Sequence, residues 1–163
     1  MSATIVAPHF LQVGYSPSPA VSEEGAWLSG LLQRMRDRLF RSEALAGPVR
    51  EVFDQLLDVY DECSGPGWDG VDALAVSRES LRAAGCFLLS LPRDFPMPEV
   101  SADAQGEIHL EWYVSPRRIF TISFGSNILH YAGRFGASTT RGREPLDGRL
   151  PEPLLNNIRR VFE

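Results

Sequence analysis

The stretch "EIHLEWYVSPRRIFTISFGSNILHYAGRF" (residues 107–135) decides the fold, because its hydrophobic residues alternate with polar ones. Successive side chains of a β-strand point to opposite faces, so this period of two predicts strands with one buried face. Three strands follow one another, separated by short turns at residues 115–117 and 126–127. Strands joined by such turns pair antiparallel. We expect a further edge strand around Glu99–Ala102, which turns at "DAQG" (residues 103–106).

The alternation fixes the register of the pairing, because a slip of one residue would turn the apolar side chains outward. On the inward face it predicts Trp112 opposite Phe120 and Ile122 opposite Tyr131, with Val114 also inward. The outward face then carries seven side chains that are candidates for binding a ligand or a partner: His109, Glu111, Tyr113, Thr121, Ser123, His130 and Arg134.

His109, Ser123 and His130 form one predicted row across three strands, which raises two chemical interpretations of the outward face. A hydroxyl, an imidazole and a carboxylate suit nucleophilic catalysis, but a regular strand supplies no oxyanion hole. A zinc ion would need the imidazoles of His109 and His130 to reach across Ser123, because their two strands lie about 9–10 Å apart, and no third ligand is obvious. The sequence therefore predicts no catalytic residue, no metal site and no cofactor. Two interpretations of the outward face remain: a surface that contacts a partner, and a site that binds a small ligand.

Helical periodicity is found on both sides of the predicted sheet. Ser22 begins a helix with an apolar stripe over residues 27–39, and Pro48 begins a second helix that ends near Cys63. Ser77 caps a third helix, and residues 154–162 form a closing amphipathic helix. The predicted fold class is therefore α+β, with N-terminal helices, a three- to four-stranded antiparallel meander and a C-terminal helix packed on one sheet face.

Two further segments lie outside these elements, an N-terminal one in which "TIVAPHFLQV" (residues 4–13) could form a short strand, and a polar one near the C-terminus. Residues 1–21 are interpreted as a flexible or docking N-terminal arm, because "GYSPSPA" (residues 14–20) favours extended chain. Residues 22–163 then form a single domain. The connection over residues 136–150 is open to an irregular edge strand near residues 137–143. Its Arg141, Arg143 and Arg149 favour either anion binding or salt bridges to acidic helix residues.

The segment "GPGWDGVDAL" (residues 65–74) predicts a structural joint between two helices, with a ligand or partner loop as the alternative. Gly65 suits a left-handed helix cap, and the ring of Trp68 can fold back over the helix ends. Asp69 is expected to accept a nearby backbone N–H group, and Gly70 to take a positive φ. The acidic residues around the joint do not have the spacing of a calcium loop, which indicates a solvated acidic face, with an acidic patch for a basic partner as the alternative.

Three stretches, "GWDGVDALAVS" (residues 67–77), "PEVSADAQGEIHLEWYV" (residues 98–114) and "FTISFGSNILHYAGRF" (residues 120–135), carry a resemblance. Together they resemble a group of small bacterial proteins that have a GWDG turn, a glycine-hinged hairpin ending in Glu-Trp and a later Leu-His-Tyr strand. The resemblance covers roughly residues 65–135. It implies a shared fold and no particular chemistry.

The composition excludes several classes of function. The 163 residues carry a net charge of −5, and all 16 basic residues are arginine, which argues against non-specific binding of nucleic acid. Cys63 and Cys86 lack metal-ligand spacing, and we expect both to be reduced and mostly buried. Without a long apolar run or a secretory signal, we expect a cytoplasmic bacterial protein that does not bind a membrane.

These features together predict a non-enzymatic protein-interaction module of a bacterial regulatory or conflict system, of the antitoxin, immunity or phage-inhibitor type. Its partner is then another protein, because interaction surfaces need complementarity and no fixed motif. The alternative is a small-ligand or anion-binding domain that uses the outward sheet face, with enzymatic activity left open.

Overall fold

A computed structural model describes residues 47–146 and 150–163. Within these residues one antiparallel sheet has its strands side by side in the order of the chain. The elements are α1 (Gly47–Cys63), α2 (Arg78–Ser90), β1 (Glu99–Ala102), β2 (Ile108–Ser115), β3 (Arg118–Phe124), β4 (Ile128–Phe135), β5 (Ser138–Pro145) and α3 (Glu152–Phe162). The α+β class and the C-terminal helix are confirmed. The predicted helix from Ser22 and the arm over residues 1–21 lie outside the described residues.

The sheet has five strands within the described chain, so the prediction of three to four was too low. The additional strand is β5, which pairs with β4 over its whole length, from Phe135 opposite Ser138 to Ile128 opposite Pro145. Its sequence, "STTRGREP", contains no alternating apolar residues, so periodicity could not identify it as a regular strand. Backbone pairing specifies it instead, through a tight turn in which Gly136 has φ +66°.

The predicted register of the central strands is confirmed. Trp112 lies opposite Phe120, and Ile122 lies opposite Tyr131. One detail of the β2–β3 connection was wrong: Ser115 pairs with Arg118, and the register shifts between Tyr113 and Ser115. Such a bulge re-aims the side chains beside it, and Val114, which we predicted to face inward, is 47% exposed.

The three described helices pack on the inward face of the sheet and close the core. Trp112, Phe120 and Phe124 are the largest fully buried side chains of the strands. The ring of Phe87, on α2, contacts the rings of Phe124 and Trp112 edge-on, with centroids 5.5 and 6.4 Å apart. Leu56 on α1 and three residues of α3 complete this layer with no exposure: Leu154, Ile158 and Val161. None of these helices is long and apolar enough to cross a bilayer.

The joint between α1 and α2 has the form that its sequence predicts, with one correction. Asp69 Oδ1 accepts the N–H groups of Val71 and Ala73 at 2.9 and 3.1 Å, and Gly70 has φ +82°. Trp68 is half-buried, and its Nε1 donates to Leu74 O at 3.0 Å.

Gly65 does not have the left-handed conformation that we predicted for it; besides Gly70, the residue of the joint with a positive φ is Gly67, at +71°. The N–H of Val76 returns to donate to Cys63 O at 2.9 Å. The carbonyl at the end of α1 therefore has its hydrogen bond without a left-handed cap.

The two cysteines have different environments. Cys63 is buried, and burial followed by the nearby Glu62 carboxylate raises the pKa of its thiol above the ordinary value. A thiol with a raised pKa stays protonated and weakly reactive. Cys86 is exposed, so the prediction that both are mostly buried was wrong for Cys86. It lies on α2 beside the buried Gly85 and Phe87, at a position that the helix turns to solvent.

Candidate functional site

The candidate site is the outward face of the sheet, where the register arranges side chains in rows across the strands. Directly paired residues share a face of the sheet, so each row can be taken from the pairing. One row runs Ser101, His109, Ser123, His130 and Arg143. The next row runs Glu99, Glu111, Thr121, Ala132 and Arg141. A third row, nearer the β2–β3 turn, runs Tyr113, Ile119, Arg134 and Thr139.

All seven predicted side chains lie on this face, but they do not converge on one point. Thr121 Oγ1 donates to Glu111 Oε2 at 3.1 Å, so these two of the seven side chains are in direct contact. His109 Nε2 lies 3.0 Å from Asp103 Oδ2, and Asp103 belongs to the β1–β2 turn and not to the predicted row. The histidine therefore faces a carboxylate and not the Ser123 hydroxyl, and the nucleophilic arrangement does not form.

The remaining predicted residues are more open. Tyr113 is 51% exposed, and His130 and Arg134 are also exposed. Arg134 Nη1 reaches Pro116 O at 3.4 Å, at the limit of a hydrogen bond. These side chains are available for contact with another molecule.

Three arginines collect on one half of the outward face, and we call them the arginine edge: Arg134 on β4, with Arg141 and Arg143 on β5. The side chains of Arg141 and Arg143 form no ion pair or hydrogen bond within the described residues, and both residues are exposed. Glu144 cannot neutralise them from the same side, because it pairs with the inward-facing Leu129. The salt bridges to acidic helix residues, which were one of the two interpretations of Arg141 and Arg143, are not formed within residues 47–146 and 150–163.

The outward face is concave beside the arginine edge. An open cleft of about 940 Å³ is lined by Pro116, Ile119, Thr121, Ala132, Gly133, Arg134, Thr139, Thr140 and Arg141. On β4 the cleft is lined by Ala132, whose outward side chain is small, and by the backbone of Gly133. Gly133 is required by the inward face, because a Cβ atom there would lie 2.8 Å from the Phe120 ring.

The cleft contains two of the seven predicted residues, Thr121 and Arg134, and neither imidazole borders it. We did not predict Arg141 among the seven site residues, although anion binding was one interpretation of Arg141, Arg143 and Arg149 in this connection. The signal was the spacing of Arg141 and Arg143, two apart, which places both on one face once the segment is known to be a strand.

A second cluster, which we call the hairpin triad, lies at the β1–β2 turn: Asp103, Glu107 and His109. Each offers one ligand atom, and these atoms all lie within 4.8 Å of one another. Sequence reasoning missed it, because it tested His109 against His130 across the sheet and not against the acids of its own hairpin. The signal is D-x-x-x-E-x-H across "DAQG", which sets all three on the outward face.

The chain was compared with protein-family models, with curated proteins and with solved structures, and nothing matches it in any of the three comparisons.

Proposed function

We propose that this protein is a non-enzymatic binding module that holds an acidic segment of another protein in the cleft beside its arginine edge. One observation carries the proposal. Arg134 and Arg141 line an open cleft on an outward sheet face, and Arg141 has no ion pair within the described residues. The setting that we propose is a bacterial regulatory or conflict system in the cytoplasm, of the antitoxin, immunity or phage-inhibitor type.

The cleft has the chemistry that an acidic peptide requires. A guanidinium group donates two parallel hydrogen bonds to one carboxylate, and it loses less hydration than an ammonium group when it does so. Arg134 and Arg141 stand beside the hydroxyls of Thr121 and Thr139, which lie on the same outward face and can hydrogen-bond the peptide backbone.

Apolar and aromatic surface beside the cleft suits a protein partner. Ile119 and Pro116 line one side of it, and the exposed Tyr113 lies opposite Ile119 in the same row. Arginine and tyrosine are the side chains that contribute most at protein interfaces, especially around an apolar centre.

The charge of the rest of the molecule favours a protein over a nucleic acid. The net charge is −5, and the β1–β2 half of the outward face carries Glu99 and Glu111 in the same row as Arg141. The phosphate backbone of a nucleic acid that ran along this row would be repelled by both carboxylates. A short acidic segment of a protein can remain on the arginine edge.

A small carboxylate or phosphate ligand is the second candidate. The volume of the cleft, about 940 Å³, favours it because small-molecule sites occupy roughly 300–1,000 Å³. The cleft is open along the sheet, however, and small-molecule sites bury most of the surface of their ligand. We therefore place this candidate second.

Titration of the full chain with a short Asp/Glu-rich peptide, followed by amide chemical shifts, tests the proposal. We expect the largest shifts at residues 132–141, and weaker binding at higher salt because the contact is electrostatic. The Arg134→Gln/Arg141→Gln double variant should lose the shifts, and Arg78→Gln, which removes an exposed arginine on α2, should retain them.

The same titration separates the two candidates. Saturable shifts with citrate or inorganic phosphate, and none with the peptide, would replace the proposal with the small-anion candidate. Peptide shifts confined to the helices, or unchanged in the double variant, would contradict both.

A further inference from the structure

We propose that the hairpin triad of Asp103, Glu107 and His109 binds one divalent transition-metal ion, of the zinc or manganese class. This site lies on the β1–β2 side of the outward face, and the arginine edge lies on the β4–β5 side. The proposal does not depend on the proposed protein partner. Its basis is a mixed donor set, two carboxylate oxygens and one imidazole nitrogen, held on a short hairpin.

The hairpin fixes two of the three donors. Asp103 Oδ1 accepts the N–H groups of Gln105 and Glu107 at 3.0 and 2.9 Å, so its other oxygen, Oδ2, is directed to the cluster. His109 is held by regular pairing, with Ser101 on one side and Ser123 on the other. Donors on a rigid scaffold bind a metal ion with little loss of conformational freedom.

The distances suit direct coordination. His109 Nε2 and Asp103 Oδ2 are 3.0 Å apart. Two ligand atoms that each lie about 2.1 Å from a common ion are about 3.0–3.4 Å apart at octahedral to tetrahedral angles. An ion can therefore replace the hydrogen bond between this nitrogen and this oxygen without a change in the backbone. Rotation of the Glu107 side chain closes the remaining gap to the third donor.

The position of Glu107 is the second observation. Its carboxylate forms no hydrogen bond or ion pair within the described residues, although the Asp103 carboxylate is within 4.8 Å. It lies over Gly125, where a Cβ atom would be 2.9 Å from Glu107 Oε1. The glycine therefore leaves room for a carboxylate to lie beside a like charge, and a cation between them would remove the repulsion.

The donor types select the class of ion. Calcium and magnesium take oxygen ligands almost exclusively, whereas imidazole suits zinc and other first-row transition ions. The side chains of His109 and Asp103 are 24% and 26% exposed, so an ion has a path from solvent and keeps positions for water. A donor atom of a partner molecule could then replace one of the water molecules bound to the ion.

Calorimetric titration of the full chain with Zn²⁺ and with Mn²⁺ tests the proposal. We carry it out in a Cys86→Ser background, because the exposed thiol also binds zinc. One ion per chain should bind, with Ca²⁺ and Mg²⁺ weaker. Glu107→Gln, His109→Gln and Asp103→Asn should each lower the affinity by at least about tenfold, the range in which ligand-shell changes act. Asp103→Asn keeps the oxygen that accepts the two N–H groups.

Matched controls on the same face are Glu111→Gln and His130→Ala, which should leave the affinity unchanged. Binding that is lost with His130→Ala, or that keeps its full affinity in all three triad variants, would overturn the proposal, as would the absence of binding by the full chain.

A second measurement does not rely on a variant that folds. Substoichiometric Mn²⁺ should broaden the amide resonances of residues 103–109 in the unaltered protein before any others. Broadening that begins elsewhere would also overturn the proposal.

Discussion

The side chain of Ser80 is fully buried and joins α2 to two strands. Its Oγ accepts the N–H of Ile108 at 2.7 Å and donates to Phe124 O at 2.6 Å. Ile108 and Phe124 pair directly at the ends of β2 and β3, where the ladder leaves these groups free. One hydroxyl therefore provides hydrogen bonds to two backbone groups that would otherwise be buried without a partner.

We expect Ser80→Ala to lower the free energy of unfolding by about 2 kcal/mol or more, because both backbone groups lose their partner without gaining water. Urea unfolding of the full chain measures the change. Ser90→Ala is the matched control: its Oγ donates to Cys86 O at 2.8 Å on the exposed side of the same helix. That variant should change the free energy by less than about 0.5 kcal/mol. Equal losses in the two variants would contradict this role for Ser80.

Asp69 gives the joint a dependence on pH. The N–H groups of Val71 and Ala73 hold the pKa of its carboxyl below the ordinary value by donating to the charged form. A group whose folded pKa is lowered stabilises the fold above its unfolded pKa of about 3.9, and this stabilisation is lost as the pH falls through the folded pKa.

The Asp69→Asn variant should therefore have a lower free energy of unfolding than the unaltered protein at neutral pH, because asparagine keeps an acceptor oxygen but has no charge. This difference should become smaller below about pH 4. Urea unfolding at several pH values measures the gap from the unaltered protein. Asp72→Asn, which removes an exposed acid of the same loop, should change the free energy of unfolding at neutral pH by less than about 0.5 kcal/mol. A gap at Asp69 that is constant with pH would show that the charge is unimportant.

At the scale of elements, β5 is the strand that positions the arginine edge, and its register can be tested at Gly142. Gly142 lies directly opposite Tyr131, and the Tyr131 ring packs over it. A Cβ atom at Gly142 would collide with that ring. The ring is held in turn against Phe120, with centroids 6.0 Å apart.

Gly142→Ala should lower the free energy of unfolding by about 1–3 kcal/mol through overpacking. In a Tyr131→Ala background the same change should cost much less, because the ring is absent, and a double-mutant cycle of urea unfolding measures the difference. Gly47→Ala is the control, since no atom lies within 4 Å of a Cβ there. Additive effects at Gly142 and Tyr131 would mean that β5 does not pair in this register.

The elements differ in how far their sequences predict them. Strands β2 and β3 follow from alternation because their inward residues are mainly apolar and buried, and β4 follows although of its inward residues only Leu129 is fully buried. The α2 cap at Ser77 is confirmed by its hydrogen bond from Ser80 N at 3.0 Å. The polar strand β5 could not be predicted as regular, and the bulge that exposes Val114 has no signature in the alternation.

The candidate site shows the same limit. The alternation of side chains along the strands places the predicted residues on the outward face. It does not predict the cleft, which depends on the pairing of β4 with β5, or the hairpin triad, whose residues meet across a turn. The resemblance to small bacterial proteins with a GWDG turn stays a prediction, as does the regulatory or conflict setting.

At the scale of the whole molecule, the described domain is one-sided. Its three helices cover the inward face of the sheet, and the outward face carries carboxylates toward β1 and β2 and arginines toward β5. Such a gradient of charge orients an approaching partner before contact, and it acts mainly on the rate of association.

The central claim, that the outward face is the contact surface for another protein, is tested most directly by photo-crosslinking in the cells of origin. A photoreactive phenylalanine analogue would replace Thr139, which is exposed at the cleft, or Gln55, which is exposed on α1. We expect a discrete protein adduct from position 139 that disappears with Arg141→Glu, and none from position 55. Adducts from position 55 alone, or an adduct from position 139 that persists with Arg141→Glu, would contradict the claim.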